Sequence, residues 1–183
     1  AAVKVFANAA NMTIRNNGNF PSCMVDRITP ATTDEIRSEA RDDMAVPTEG
    51  FTEWVIEDNF AAARPDWPGV QWVDDVAPHE MRKLRMLNGA HSYLAYAGVL
   101  RGYTLVHEAI ADPILRAGAL AIMTEAAQTL PSDIQAQAQR YAEALIERFE
   151  NPNLHHRLRQ IAMDGSQKLP IRILGTLADR TKM

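Results

Sequence analysis

The sequence predicts a mainly helical domain with a minor β component, and three observations lead to this prediction. Helix-start patterns recur along residues 78–179 and would place more than half of the chain in helices. Aromatic and β-branched residues are dense only in residues 51–58, within an irregular first third. The length of 183 residues and the hydrophobic content of 46% suit a globular domain with a substantial core.

The first third of the chain is predicted to be mostly irregular. Thr32 and Glu35 form a capping box, so a helix should start there and run to about residue 43. Proline lies near both ends of residues 20–30, and we expect this segment to be extended. The other predicted segments are a short helix at 1–10, an Asn- and Gly-rich loop at 11–21, a strand at 51–58 and a turn-rich loop at 64–69.

The remainder is predicted to be a series of helices. Pro78 suits the first turn of a helix that continues to about Gly98. Ser132 with Gln135 forms a second capping box, and Asn151 before Pro152 is a further helix start. The additional helices are expected over residues 103–111, 113–128, 132–149, 152–163 and 166–179.

Composition and motif searches exclude several classes of function. The net charge is −4 and basic residues form no stripe, so we expect no nucleic-acid partner. The longest apolar run, at residues 117–123, is too short to cross a bilayer. Cys23 is the only cysteine, which fits a reducing, cytoplasmic location. Histidine spacing predicts no metal site, and no Walker loop, GxSxG elbow or GxGxxG turn is present.

Lys83, Asn88 and His91 form the most informative group in the chain. On a helix of about 100° per residue they lie at roughly 0°, 140° and 80°, and so share one side. They supply an amine, an amide that donates and accepts, and an imidazole. An amine acts as a base only when neutral, a form that burial or the neighbouring Arg82 and Arg85 would favour. This set suits removal of a proton from a hydroxyl while the oxygen is held.

Each member of this group also has a purely structural interpretation. Lys83 could be a solvated lysine on a basic turn. Asn88 has low helix propensity, which either a function or a hydrogen bond between helices would offset. His91 has apolar neighbours, and a histidine in that setting is often part of a core.

Three further polar groups are candidate substrate ligands. Asp26 interrupts an apolar extended segment, where a carboxylate is either half of a structural ion pair or directed into a site. Arg157 follows two histidines at a predicted helix start, where cations oppose the helix dipole. That conflict indicates a solvated end or a site for an anionic or hydroxyl-rich ligand. Lys168 lies in a polar turn between predicted helices and could equally be solvated.

Four blocks of sequence follow one another along the chain: MVDRITP at 24–30, EWVIEDNF at 53–60, KLRMLNGAHS at 83–92 and NPNLHHRLRQIAMDGSQKLPIR at 151–172. Together and in this order, they resemble the polyol-specific long-chain dehydrogenases, the family of mannitol dehydrogenase and fructuronate reductase (D-mannonate oxidoreductase). The resemblance implies a metal-independent enzyme that uses NAD or NADP. It also implies interconversion of a secondary alcohol of a sugar alcohol or sugar acid with its ketone.

The resemblance assigns a role to each candidate residue. Lys83 matches the general base, Asn88 the amide that stabilises the developing alkoxide, and His91 the group that orients the substrate oxygen. Asp26 matches a carboxylate on the substrate side. Arg157 and Lys168 resemble basic residues at the far end of the substrate. The blocks are closer to the fructuronate reductases than to the mannitol enzymes, so D-mannonate or fructuronate is the expected substrate and a mannitol-type polyol the alternative.

The resemblance also implies a domain organisation. Family members carry a Rossmann domain before the segment that contains Asp26, and we expect this chain to lack it, so that the cofactor would be bound mainly by a domain absent from the chain. Residues 1–20 are then an N-terminal arm or a remnant of the inter-domain region. Residues 21–183 are a catalytic domain truncated at its C-terminal end. A non-catalytic helical module of the same fold is the alternative.

Overall fold

A computed structural model describes residues 19–183, and these residues are mostly helical with one small sheet. The short helix expected at 1–10 lies outside the described residues. The strands are β1 Cys23–Asp26, β2 Glu53–Glu57 and β3 Val70–Val73. The helices are α1 Asp34–Ala40, α2 Ala77–Arg82, α3 Asn88–Leu100, α4 Val106–Ala111, α5 Pro113–Ala127, α6 Ser132–Gln135, α7 Ala138–Glu150, α8 Leu158–Ala162, α9 Gly165–Leu169 and α10 Gly175–Arg180, with π-helical segments π1 Lys83–Leu87 and π2 Pro170–Leu174.

The sheet has the strand order β1–β2–β3, with one antiparallel and one parallel pair. Met24 lies opposite Val55 across the antiparallel pair, and both side chains are buried together with Val76. The structure confirms the extended segment predicted at 20–30 and the strand predicted at 51–58. The sequence analysis missed β3, because a strand of four residues directly after a turn-rich loop carries little periodic signal.

The main core surrounds α3. Gly98 allows α3 to approach two other helices closely, because a Cβ atom there would lie 2.8 Å from Leu158 Cδ1 and 3.1 Å from Ala109 Cβ. Most of the buried residues that line this core come from α3, α4, α5, α7 and α8, with others from π1, α6 and connecting segments; they include Leu94, Ala109, Met123, Leu145 and Leu158.

The helix predicted at 152–163 is wrong in its first half. The structure has a bridge between Leu105 and Arg157, so this part of the chain is extended and the helix begins only at Leu158. The backbone N–H of Val106 donates to the carbonyl of His156, and that of Leu158 donates to Thr104. This pairing with a distant segment satisfies the hydrogen-bonding groups of the backbone here. The local sequence signal had instead predicted that these groups lie in the first turn of a helix.

A buried cluster of four side chains, Asp26, Glu49, Tyr141 and Arg148, connects the sheet to the helices. Arg148 on α7 contacts Asp26 on β1 at 2.7 Å and Glu49, between α1 and β2, also at 2.7 Å. The Tyr141 hydroxyl donates to the other Asp26 oxygen at 2.6 Å. Burial, followed by the nearby Asp26 charge, raises the pKa of Tyr141, so its hydroxyl stays protonated and donates. The fully buried Asp26 carboxylate is thus satisfied inside the protein.

We predict that Gly98→Ala destabilises the protein. The added methyl must displace Leu158 or Ala109, and such overpacking costs about 1–3 kcal/mol, of which the higher helix propensity of alanine recovers at most about 1 kcal/mol. Urea unfolding measures the difference. Gly50→Ala is the control, because a Cβ atom there meets nothing within 4 Å. Equal stability of the two variants would contradict the proposed close approach.

We also predict that Arg148→Met lowers the free energy of unfolding by about 3–5 kcal/mol, since it leaves two buried carboxylates without their cation. Thermal and urea unfolding measure the loss. Arg140→Met is the matched control: it makes the same substitution on the same helix at an exposed position and should change stability by less than about 0.5 kcal/mol. A loss for Arg148→Met no larger than that of the control would show that the cluster does not stabilise the fold.

Candidate functional site

Lys83, Asn88 and His91 lie on one continuous helical run, but that run is not a regular α-helix. Lys83 begins π1, and Asn88 is the first residue of α3. The N–H of Asn88 is shared between the carbonyls of Lys83 and Leu84, which marks the return from π to α geometry. The predicted extent of the helix is confirmed. The π segment was missed; such segments are often found at functional sites.

The Lys83 amine is held against the sheet. Its Nζ donates a hydrogen bond to the Val25 carbonyl of β1, and the residue is half-buried. Val25 directly precedes Asp26, whose carboxylate is fixed by Arg148 and Tyr141. The amine is therefore held by a backbone carbonyl of the residue that precedes the buried Asp26.

The two cations beside Lys83 are each paired with a carboxylate. Arg82 Nη2 contacts both Glu53 oxygens, at 2.6 and 2.7 Å. Arg85 Nη2 donates to Asp179 at 2.7 Å, and its Nη1 donates to Thr129 at 2.6 Å. Both guanidinium groups beside Lys83 are thus paired with carboxylates.

His91 is buried and its charge is disfavoured. Burial, followed by the nearby His156, Arg148 and Arg172, lowers the pKa of His91 well below its ordinary value. Its ring lies 4.5 Å from the Phe149 ring and 5.3 Å from the His156 ring, between centroids. Within residues 19–183, neither His91 Nε2 nor His156 Nδ1 has a hydrogen-bond partner. A cavity of about 10 Å³ lined by both rings lies there. The lowered pKa favours the neutral imidazole, and its Nε2 is unsatisfied within the described residues.

The other candidates lie in different environments. Asp26 belongs to the buried cluster, which favours the ion-pair interpretation of its position. Lys168 on α9 is half-buried and lies 3.7 Å from the Asp164 carboxylate. Arg157 is exposed and lines an open cleft of about 850 Å³ with Glu35 and Thr48, a cleft that Lys83, Asn88 and His91 do not line. The structure thus places the three helix residues on one continuous run but gives Arg157 a separate surface.

Sequence analysis missed three residues around His91. Arg148 could have been found, because it falls on the apolar stripe of α7 with Tyr141 and Leu145, where a charge predicts a buried pair. His156 and Arg172 gave no such signal. His156 lies near His91 because the segment before α8 is extended, and Arg172 lies near it because of π2. Neither the extended segment nor π2 was predicted.

Three common features are absent from residues 19–183: a dinucleotide-binding turn, a metal-binding cluster and a membrane-spanning helix. Residues 19–183 contain no strand that leads through a glycine-rich turn into a helix, the unit that holds a dinucleotide pyrophosphate. In the same range no group of three or more His, Cys, Asp or Glu side chains could hold a metal ion. No helix in this part of the chain is long and apolar enough to span a bilayer.

Two family models match consecutive parts of the chain. The mannitol dehydrogenase C-terminal domain matches residues 75–183, and the mannitol dehydrogenase Rossmann domain matches residues 1–69. The expectation that the chain lacks the Rossmann domain is therefore wrong. It rested on the absence of a glycine-rich turn, but a Rossmann domain contains many strands and helices, so a chain can carry part of it without that turn.

Sequence comparison with named proteins agrees with these family matches. The chain is 51% identical over 170 residues to D-mannonate oxidoreductase of Escherichia coli K12, covering 88% of this chain and 35% of that protein. It is 41% identical over 179 residues to mannitol 2-dehydrogenase of Phaeosphaeria nodorum, covering 91% of this chain and 32% of that protein. The chain thus spans about a third of the length of the curated relatives it matches.

Solved structures share the fold. Mannitol 2-dehydrogenase of Pseudomonas fluorescens, in a ternary complex with NAD and D-mannitol, superposes with a TM-score of 0.77 at 38% identity, over 87% of this chain and 34% of that one. Substrate-free D-sorbitol dehydrogenase gives a TM-score of 0.78 at 33% identity, over 96% and 37%. The model of the C-terminal domain alone matches more than half of the residues of this chain. This chain therefore belongs to the mannitol dehydrogenase family.

Proposed function

We propose that the chain supplies the catalytic part of an NAD(P)-dependent dehydrogenase that interconverts a secondary alcohol of a sugar acid or polyol with its ketone. The observation that carries the proposal is the run from Lys83 to His91, on which an anchored amine, an amide and a neutral imidazole follow one another. Membership of a family whose named relatives are oxidoreductases supports the same reaction class.

Lys83 is the proposed general base. A neutral amine has two N–H donors and one lone pair; one donor reaches the Val25 carbonyl, which leaves the lone pair for the substrate hydroxyl. The hydroxyl proton moves to Nζ, and the resulting ammonium group keeps its hydrogen bond to Val25. NAD(P), when bound, would supply the acceptor for the hydride of the carbinol carbon.

Asn88 and His91 act on the substrate oxygen in this proposal. Asn88 is half-buried one helical turn before His91, and its amide N–H can donate to the oxygen as negative charge develops. Because burial keeps His91 neutral, its ring can orient a hydroxyl without adding a charge. The substrate-binding roles of Asp26, Arg157 and Lys168 remain predictions.

The substrate class rests on the relatives. Identity of 51% to D-mannonate oxidoreductase supports a hexonate such as D-mannonate as the substrate. A mannitol-type polyol is the second candidate, supported by 41% identity to mannitol 2-dehydrogenase and by the fold shared with a D-mannitol complex. The alternative of a non-catalytic helical module predicts no turnover with either substrate.

We predict that Lys83→Ala in the whole protein lowers the rate of alcohol oxidation about 10²–10⁴-fold, the usual contribution of a general base. Initial rates of NAD(P) reduction across pH 6–9 measure the effect. Small primary amines added to the variant should restore part of the rate, which a merely structural loss would not allow.

Lys182→Ala is the matched control, because this exposed lysine pairs with the surface carboxylate of Asp179 and should keep normal rates. Turnover of Lys83→Ala within threefold of the wild-type rate would end the base assignment. Absence of any NAD(P)-linked oxidation by the wild-type protein, with hexonates and with polyols, would favour the non-catalytic module.

A further inference from the structure

Arg172 is a half-buried guanidinium group next to the proposed catalytic helix. It lies on π2, and its Nη1 donates to the buried Ser92 hydroxyl at 3.2 Å. Ser92 directly follows His91, and the charge of Arg172 is close enough to contribute to the lowered pKa of that histidine. Of its five N–H donors, this is the single one with a partner in residues 19–183.

Arg172 differs from every comparable arginine in the described part of the chain. Seven arginines there are buried or half-buried, and the other six form ion pairs with Asp or Glu. Burial lowers the pKa of Arg172. The group that partly opposes this shift is Tyr96 rather than a carboxylate. Among the described arginines that are at least half-buried, Arg172 alone has no carboxylate partner to compensate its charge. The paired arginines are Arg37, Arg82, Arg85, Arg116, Arg148 and Arg180.

The backbone fixes Arg172 close to the Lys83–His91 run. A Cβ atom at Gly89 would lie 3.0 Å from the Arg172 carbonyl oxygen, so π2 packs directly against the first turn of α3. Lys168, one turn earlier, is already paired with Asp164. The free donors of Arg172 are therefore held beside the residues proposed to act on the reacting carbon.

We propose that Arg172 binds the carboxylate of a sugar-acid substrate and selects a hexonate over the corresponding neutral polyol. This inference rests on the proposed function and adds the residue that sets the substrate class. A guanidinium group suits this role because it offers parallel N–H donors that match the two oxygens of a carboxylate. Arg157, which the sequence indicated for the same role, is exposed in the separate cleft.

The test compares D-mannonate with D-mannitol, which differ in whether one terminal carbon is a carboxylate or a hydroxymethyl group. In the whole protein, Arg172→Met should lower the ratio of kcat/KM for D-mannonate to kcat/KM for D-mannitol about ten- to a hundredfold, mainly through KM for the acid. Arg172→Lys keeps the charge without the planar pair of donors, and should give an intermediate ratio. Arg140→Met is the control, since it removes an exposed arginine and should leave the ratio unchanged.

Calorimetric titration of D-mannonate into wild type and Arg172→Met makes the outcome independent of turnover. Weaker binding in the variant supports the inference even where the base assignment to Lys83 fails. An unchanged ratio with unchanged binding overturns it, as does an equal fall for both substrates. A ratio that falls in Arg157→Met but not in Arg172→Met assigns the carboxylate to the open cleft instead. Thermal melting of each variant identifies any general loss of fold.

Discussion

The ion pairs of Arg148 hold the candidate site together. Arg148 contacts Asp26 on β1 and Glu49 before β2, and a backbone N–H near the end of the β1 segment, that of Ile28, donates to the same Glu49 carboxylate at 2.5 Å. Two carboxylates share one cation in a dry setting, so their geometry is fixed by several hydrogen bonds at once. Val25 lies next to Asp26, and its carbonyl accepts from Lys83. The position of the proposed base thus depends on a strand that the charge cluster fixes at the residue after Val25.

Two π-helical segments pack side by side, and each carries a residue of the proposed site. π1 begins at Lys83, and π2 contains Arg172. A π turn accommodates one more residue than an α turn, so every side chain that follows is rotated relative to an uninterrupted helix. Pro170 lacks a backbone N–H, and Gly89 leaves room for the Arg172 carbonyl. These two residues explain how the segments tolerate both the irregular hydrogen bonding and the close approach.

The sequence predicted local features well and long-range ones poorly. The extent of the helix with Lys83, Asn88 and His91 followed from residue spacing, and β2 from its dense β-branched and aromatic residues. The π segment π1 could not be predicted in this way, because its hydrogen bonds depend on packing against π2, a segment about 90 residues away. The segment at His156 was misassigned for a related reason: pairing with Leu105 replaced the local helix start at Asn151. Arg172 could not be recognised at all, since lacking a carboxylate partner is a property of the folded chain.

The charges around His91 connect the catalytic and substrate-binding proposals. Arg148 and Arg172 both disfavour a proton on this imidazole, but their own charges are compensated differently. Arg148 is paired inside the protein with Asp26 and Glu49 whether or not a substrate is bound. Arg172 has no internal carboxylate among the described residues, so a bound carboxylate would offset its charge only while substrate is present. Burial alone still keeps the ring neutral at that stage, because desolvation is the largest cause of the lowered pKa of His91. A neutral imidazole and an anionic substrate are therefore electrostatically compatible in the same site.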